Sequence, residues 1–507
     1  MELSLLSDNW MTLSLAVICC ASFALWWLGE KNRRKPPGPK GLPILGNIIP
    51  FSKTARSGKL AEFIGNLHKK YGKIVGLKCG VQRFIYINDG EMIRDLYQQE
   101  QFSFRPHDSL PVMKRLSHGT PRGVVFANGE AHKEMRRFVL LTFRDLGVGK
   151  KSLDEMVQTE ASILCQHLES VTSTKGGVIS DLKKKMQYAT ANIIHHVVFG
   201  HRYDYDDPEW LRLIQLLYDM FAINPLAFPQ NFLPFLDRFP ALANYITGNM
   251  MNQFLNNNDL LEKYVDRQIS EHRESYVDGS VRDFIDLYIK YESQQEQYYT
   301  KENLFASMLD LFRAGSDSAA TTLTWAVMHL VQHPDIQKQL QDEIDEVVGD
   351  QTFDRKQKDK LVKTRAFINE LHRYASIAVT TVPHTIVRPA EVGGYTLLPA
   401  DLIVASLFSI HHDEGYWKNP YTFSIDRWID EEGNLIKHEG HFYPFSVGKR
   451  ICPGRQFATI EVMLILVQFL QNFSFEKLDD HQELTDDSLA GILRTPQNFP
   501  LKVVKRQ

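Results

Sequence analysis

Apolar residues recur every three to four positions through residues 153–168, 178–199, 260–272, 301–333, 335–348, 362–374 and 456–470, the spacing that lines them along one side of a helix. Runs with the character of strands are few and short: 74–77, 83–87 and 403–407. A chain patterned this way is mainly α with small β-sheets. From residue 47 to residue 507 there is no long linker, repeat or low-complexity run, and the polar stretch 293–299 is short enough for a loop. One large domain around a continuous core is the simplest organisation.

Ahead of that domain, residues 10–28 form 19 residues without a charge, enough helix to cross the roughly 30 Å of a bilayer core. Glu2 and Asp8 precede the run, and Lys31, Arg33, Arg34 and Lys35 follow it. This asymmetry predicts a single-pass anchor with the rest of the chain in the cytosol. A cleaved signal peptide needs positive charge before the run and a small-residue cleavage site after it, and both are missing. Pro36-Pro37-Gly38-Pro39 cannot continue a helix and reads as a stiff spacer. The expected organisation is therefore a membrane anchor at 1–30, a basic and proline-rich linker at 31–46 and a catalytic domain at 47–507.

With 58 Lys and Arg against 61 Asp and Glu, the formal charge is -3, and nothing asks for nucleic acid as a partner. Five cysteines (Cys19, Cys20, Cys79, Cys165, Cys452) are too scattered for a disulfide framework or a zinc site, which fits a reducing compartment. Cys452 differs from the others in its neighbours. It stands in Phe445-Ser-Val-Gly448-Lys-Arg450-Ile-Cys452-Pro-Gly454, directly before an apolar helical pattern. Gly448 and Gly454 permit a tight turn, while a helix N-terminus and free backbone amides would favour the sulfur as thiolate. An axial haem ligand requires such a thiolate.

This segment closely resembles the haem-binding signature of the cytochrome P450 family. The resemblance implies the cytochrome P450 fold, haem b (iron protoporphyrin IX) as cofactor, Cys452 as metal ligand, Phe445 beside the sulfur and Arg450 on a haem propionate. Gly454 falls in the same cofactor-binding signature. Glu370-Leu-His-Arg373 resembles the family's buried Glu-x-x-Arg pair, and Arg427 lies where the family supplies a second arginine to fix the cysteine loop. Ala314-Gly315-Ser316-Asp317-Ser318 resembles the oxygen-activation segment over the distal face of the haem. By that match Ala314 borders the cofactor, Asp317 is the relay acid, and Ser318 replaces the usual threonine. Serine keeps the hydroxyl but loses the methyl that restricts its rotamer, and it can instead bond back to the preceding turn. Arg313 replaces an uncharged residue, and it is expected to pair with Asp310 or to leave the pocket.

Two propionates at the edge of an apolar cofactor need cations. Asn128-Gly-Glu-Ala-His132-Lys-Glu-Met-Arg136-Arg137 resembles the family helix that supplies a tryptophan and an arginine; His132 replaces the tryptophan and Arg136 matches the arginine. His132 could donate one hydrogen bond or stand on the surface. Arg105 and His384 also match propionate contacts. The likeness is to the animal microsomal family-2 group, through Pro36-Pro37-Gly38-Pro39, Arg136-Arg137-Phe138 and His333-Pro334-Asp335.

That likeness lines a substrate pocket with residues 108–126, 226–235, 309–318, 378–382 and 491–496, mostly apolar, suiting a lipophilic substrate. Residues 225–235 can equally pack in the core or meet the membrane interface. No dinucleotide fingerprint follows a strand. Electrons are therefore expected from NADPH-cytochrome P450 reductase, with cytochrome b5 as a further donor and Lys133, Arg137 and Lys449 as candidate contacts. The implied function is a monooxygenase inserting one atom of O2 into a fatty acid, steroid, terpenoid or xenobiotic at the endoplasmic reticulum membrane. An isomerase on the same fold would need no proton relay, so Asp317 and Ser318 argue against it. A non-catalytic haem binder would tolerate loss of both relay and pocket.

Overall fold

The computed structural model describes residues 33–147, 151–174, 176–293 and 297–506. The apolar run 10–28 lies outside these residues, and among the described residues no helix is long and apolar enough to cross a membrane. The helices that build the site are α1 (Gly123–Phe126), α2 (Gly129–Asp145), α3 (Lys151–Thr174), α4 (Leu182–Phe199), α5 (Met250–Ser275), α6 (Lys301–Gln332), α7 (Val362–Ala375) and α8 (Arg455–Asn472).

The 32 residues of α6 span about 48 Å. The Thr300 side chain accepts from the Asn303 amide at 3.2 Å to start it, and Pro334 lies just beyond its end. α4 lies along α6, and Gly315 sets how closely: a Cβ there would lie 2.7 Å from Ile194 Cγ1. α8 is buried at every position from 461 to 467, which only a helix enclosed on all sides permits. It packs between α3 and α6 and carries the cysteine loop at its N-terminus.

The expected helix at 178–199 begins later than its apolar pattern. Val178 and Ile179 form a short strand against Lys502 and Leu501, and the helix starts at Leu182. The partner strand is at the far end of the chain, beyond the reach of local periodicity. The other small sheet that matters joins β1 (Ile74–Cys79), β2 (Gln82–Ile87) and β3 (Asp401–Ala405), with β1–β2 antiparallel and β2–β3 parallel. The proline-rich stretch docks on this region. Arg33 pairs with Asp401 at 2.9 Å, and Pro37 O accepts from Gly76 N at 2.8 Å.

Residues 225–239 divide between the two roles open to them. Phe228 and Phe232 are buried, Phe232 against Phe51 and Phe84. Phe235 and Phe239 are exposed, followed by exposed Leu242, Tyr245 and Ile246 on the helix Pro240–Thr247. Val81 N donates to Phe232 O, which brings exposed Val81 beside the same surface.

Candidate active site

The cysteine loop is closed by its own backbone: Cys452 N donates to Phe445 O at 3.0 Å. Ser446 and Gly448 turn it in the left-handed region, at φ +63 and +80. Glycine is needed at 448, where a Cβ would strike the backbone of Tyr97. It is not needed for the turn at 454, whose φ is -82 and where the nearest atom to an added Cβ is Cys452 Sγ at 3.9 Å. Gly454 instead leaves the space next to the sulfur open. Phe445 packs edge-on against His372 at 5.3 Å and lines a cavity of about 820 Å3 with Trp428, Ile451 and Arg455.

Cys452 lies deep in the molecule yet keeps accessible surface, so its sulfur faces an internal hollow. Burial pushes its thiol up, opposed by the Gly454 amide and the charges of Arg136 and Arg455. Cys79 and Cys165 are buried as well, and their thiols are pushed up to about 12. They have the surroundings of small core residues.

Glu370 and Arg373, on one face of α7, are both fully buried and joined by two bonds of 2.8 Å. Arg427 Nε reaches Glu370 at 3.2 Å, Trp428 Nε1 at 2.9 Å and the Ser424 amide at 3.0 Å. Arg373 also donates to the carbonyls of His411 and Pro420, each at 2.8 Å. A buried carboxylate with this many donors is stable as an anion. It ties α7 to the chain that leads into the cysteine loop.

Arg105, His132, Arg136, His384 and Arg450 converge although they come from four parts of the chain. Arg450 donates to the carbonyls of Ser103 (2.8 Å) and Ala127 (2.6 Å), and Arg105 to those of Val382 (2.8 Å) and Pro383 (3.1 Å). Burial and the facing guanidinium groups of Arg105 and Arg136 bring Arg450 down to about 8, while burial brings Arg105 down to about 10. Among the described residues no carboxylate pairs with Arg105, Arg136 or Arg450. His132 is buried, its Nε2 has no partner, and burial and the same arginines hold it down at about 3. His384 gives Nδ1–H to Phe102 O at 2.6 Å and stacks on Tyr97. Such a cluster fits a buried ligand with two negative groups. Haem, with two propionates and an iron that takes a thiolate, matches both the cations and the sulfur.

The family described as Cytochrome P450 matches residues 36–503. The chain belongs to the cytochrome P450 family. It is 31% identical to Cytochrome P450 2C16 of Oryctolagus cuniculus over 488 residues, covering 96% of this chain and 97% of the relative. It is also 31% identical to Cytochrome P450 2C28 of Mesocricetus auratus, over 98% of this chain and 100% of the relative. Cytochrome P450 2C5 of Oryctolagus cuniculus is 30% identical over 97% and 99%. As a cytochrome P450 the chain is a haem monooxygenase, an oxidoreductase of the animal family-2 group.

On the other side of this P450's hollow, one face of α6 keeps accessible surface: Ala306, Asp310, Arg313, Ala314 and Ser318. Asp317 faces elsewhere. It is buried against α4, where Gln187 Nε2 donates to it at 3.2 Å and Lys183 Nζ lies at 3.4 Å, and Thr321 Oγ1 reaches its other oxygen at 3.4 Å. Ser318 donates back to Ala314 O at 2.8 Å, which leaves its oxygen free only to accept. The two residues expected to share a relay thus have different neighbours. Lys183 and Gln187 were not predicted, and nothing in their local sequence marks them; only the packing of α4 on α6 brings them to Asp317.

Arg313 does not pair with Asp310. It turns to α5 and donates to Asn258 Oδ1 at 2.6 Å, while Asp310 accepts from the Val125 amide of α1 at 2.9 Å. The three basic residues considered for partner contact are matched within the chain: Lys133 with Glu130 and Glu100, Arg137 with Glu134, Lys449 with Glu100.

Proposed function

We propose that this chain is a microsomal haem-thiolate monooxygenase that hydroxylates or epoxidises a lipophilic substrate with electrons from NADPH-cytochrome P450 reductase. The observation that carries it is the pairing of an accessible, deeply placed Cys452 with guanidinium groups that have no carboxylate. Haem b supplies reductive activation of dioxygen when bound. Cys452 would be its ligand, with Phe445 and Gly454 flanking the sulfur, and Arg105, His132, Arg136, His384 and Arg450 would hold the propionates. Ala314 gives room over the distal face. Asp317, held against α4 by Lys183 and Gln187, would act as the relay acid once its side chain turns toward the hollow, and the Ser318 oxygen would accept a water hydrogen bond there.

The exposed apolar group at Phe235, Phe239, Tyr245 and Ile246 supports a membrane-seated catalytic domain, as expected for an enzyme of the endoplasmic reticulum membrane facing the cytosol. The internally paired Lys133, Arg137 and Lys449 shift the search for the reductase and cytochrome b5 surface toward Arg455 and Lys358 at the rim of the cavity beside Phe445. The test is spectroscopic. Reduced full-length protein with carbon monoxide should show the red-shifted Soret band of a thiolate-ligated haem, and Cys452→Ser should abolish it. An imidazole-type spectrum rejects the assignment. NADPH-dependent turnover of a lipid panel with added reductase then decides the reaction class.

A further inference from the structure

Arg313 lies on the accessible face of α6, between Asp310 and Ala314, in the same hollow that Ala314 and Ser318 border. It is enclosed by protein yet keeps accessible surface, so that surface faces the hollow. Of its five N–H groups one is used, on Asn258. Nε is buried without a partner, and among the described residues no carboxylate lies within ion-pair distance.

The nearby acids are engaged elsewhere. Asp310 holds the Val125 amide, and Glu262 accepts from Asn258 Nδ2 at 2.7 Å and from His118 Nε2 at 3.0 Å. A guanidinium does not lose its proton, and Asp310 and Glu262 offset its desolvation only from a distance, so Arg313 has no anion in direct contact. Nη1, unlike Nε, is neither bonded nor sealed by its neighbours, so its N–H groups are the ones open to a carboxylate in the hollow.

We infer that Arg313 anchors the carboxylate of an amphiphilic substrate, a lipophilic carboxylic acid whose chain lies along Ala314. This rests on the monooxygenase reading above and narrows its substrate class. Because the anchor is fixed on the helix that borders the reaction site, the oxidised carbon is set by its distance from the carboxyl end. Saturated acids of ten, twelve and fourteen carbons are then oxidised at the same position counted from the carboxylate.

The test uses the full-length holoenzyme and the Soret shift that accompanies substrate binding, which needs no reductase. Each variant is first checked for the thiolate carbon monoxide band. Wild type should bind dodecanoate at least ten-fold tighter than methyl dodecanoate, Arg313→Leu should bring the ratio to about one, and Arg313→Lys should keep part of it. The anchor is overturned if wild type does not prefer the acid or if the preference survives in Arg313→Leu. It is equally overturned if Arg313→Leu loses both ligands with its carbon monoxide band intact. Should Arg313→Leu fail to fold, Arg313→Gln carries the same comparison. A preserved acid preference without NADPH-driven product would reject the monooxygenase reading and leave the anchor standing.

Discussion

Arg450 reaches four acceptors from Ser103, Val125, Ala127 and Asn128, and none is an anion. Replacing it with leucine should leave the fold competent and weaken cofactor retention. The haem-to-protein ratio, measured as pyridine haemochrome, is expected to fall several-fold. Asp310 gives a pH effect of definite sign. Burial raises it from 3.8 to about 7, so between about pH 4 and 7 the folded chain keeps a proton that the unfolded chain has released. Stability contributed by this group therefore falls as pH rises through that window, by at most about 4 kcal/mol. Asp310→Asn should remove that fall, seen as a flatter plot of melting temperature against pH than wild type shows.

Among elements, the contact of α4 with α6 depends on the absence of a side chain at 315. Gly315→Val should destabilise by about 1–3 kcal/mol in denaturant titration, and adding Ile194→Ala should recover much of it. Glu370→Gln strips the carboxylate from two arginines and a tryptophan. A loss of about 3–5 kcal/mol is expected, with conversion of the carbon monoxide spectrum to that of a displaced thiolate.

The sequence made the helices legible because α3 and α7 carry a periodic core face, while α6 and α8 are apolar runs too long for a strand. Val178 misled because its strand partner is Lys502. The cysteine loop was legible because its residues are contiguous. The neighbours of Asp317 and Arg313 were not, since Lys183, Gln187 and Asn258 lie on other helices and reach the site only through packing. Local pattern also overstated Gly454, which resembles a turn glycine but adopts an ordinary φ.

At the scale of the whole molecule, the exposed Phe235, Phe239, Tyr245 and Ile246 form a face that water disfavours. A polarity-sensitive dye on Tyr245→Cys should shift to the blue when phosphatidylcholine vesicles are added. The same dye on Glu414→Cys, exposed and paired with Lys69, should not. An unchanged signal at 245 would exclude insertion of this face.

The arginine cluster has a further consequence, for the life of the chain before it works. Like charges gathered in the interior oppose the folded state, and a dianionic cofactor that binds only that state stabilises it by mass action. The melting temperature should therefore climb with free haem concentration. In a cell, supply of this cofactor then governs how much of the chain escapes degradation, so abundance follows haem synthesis even at constant translation.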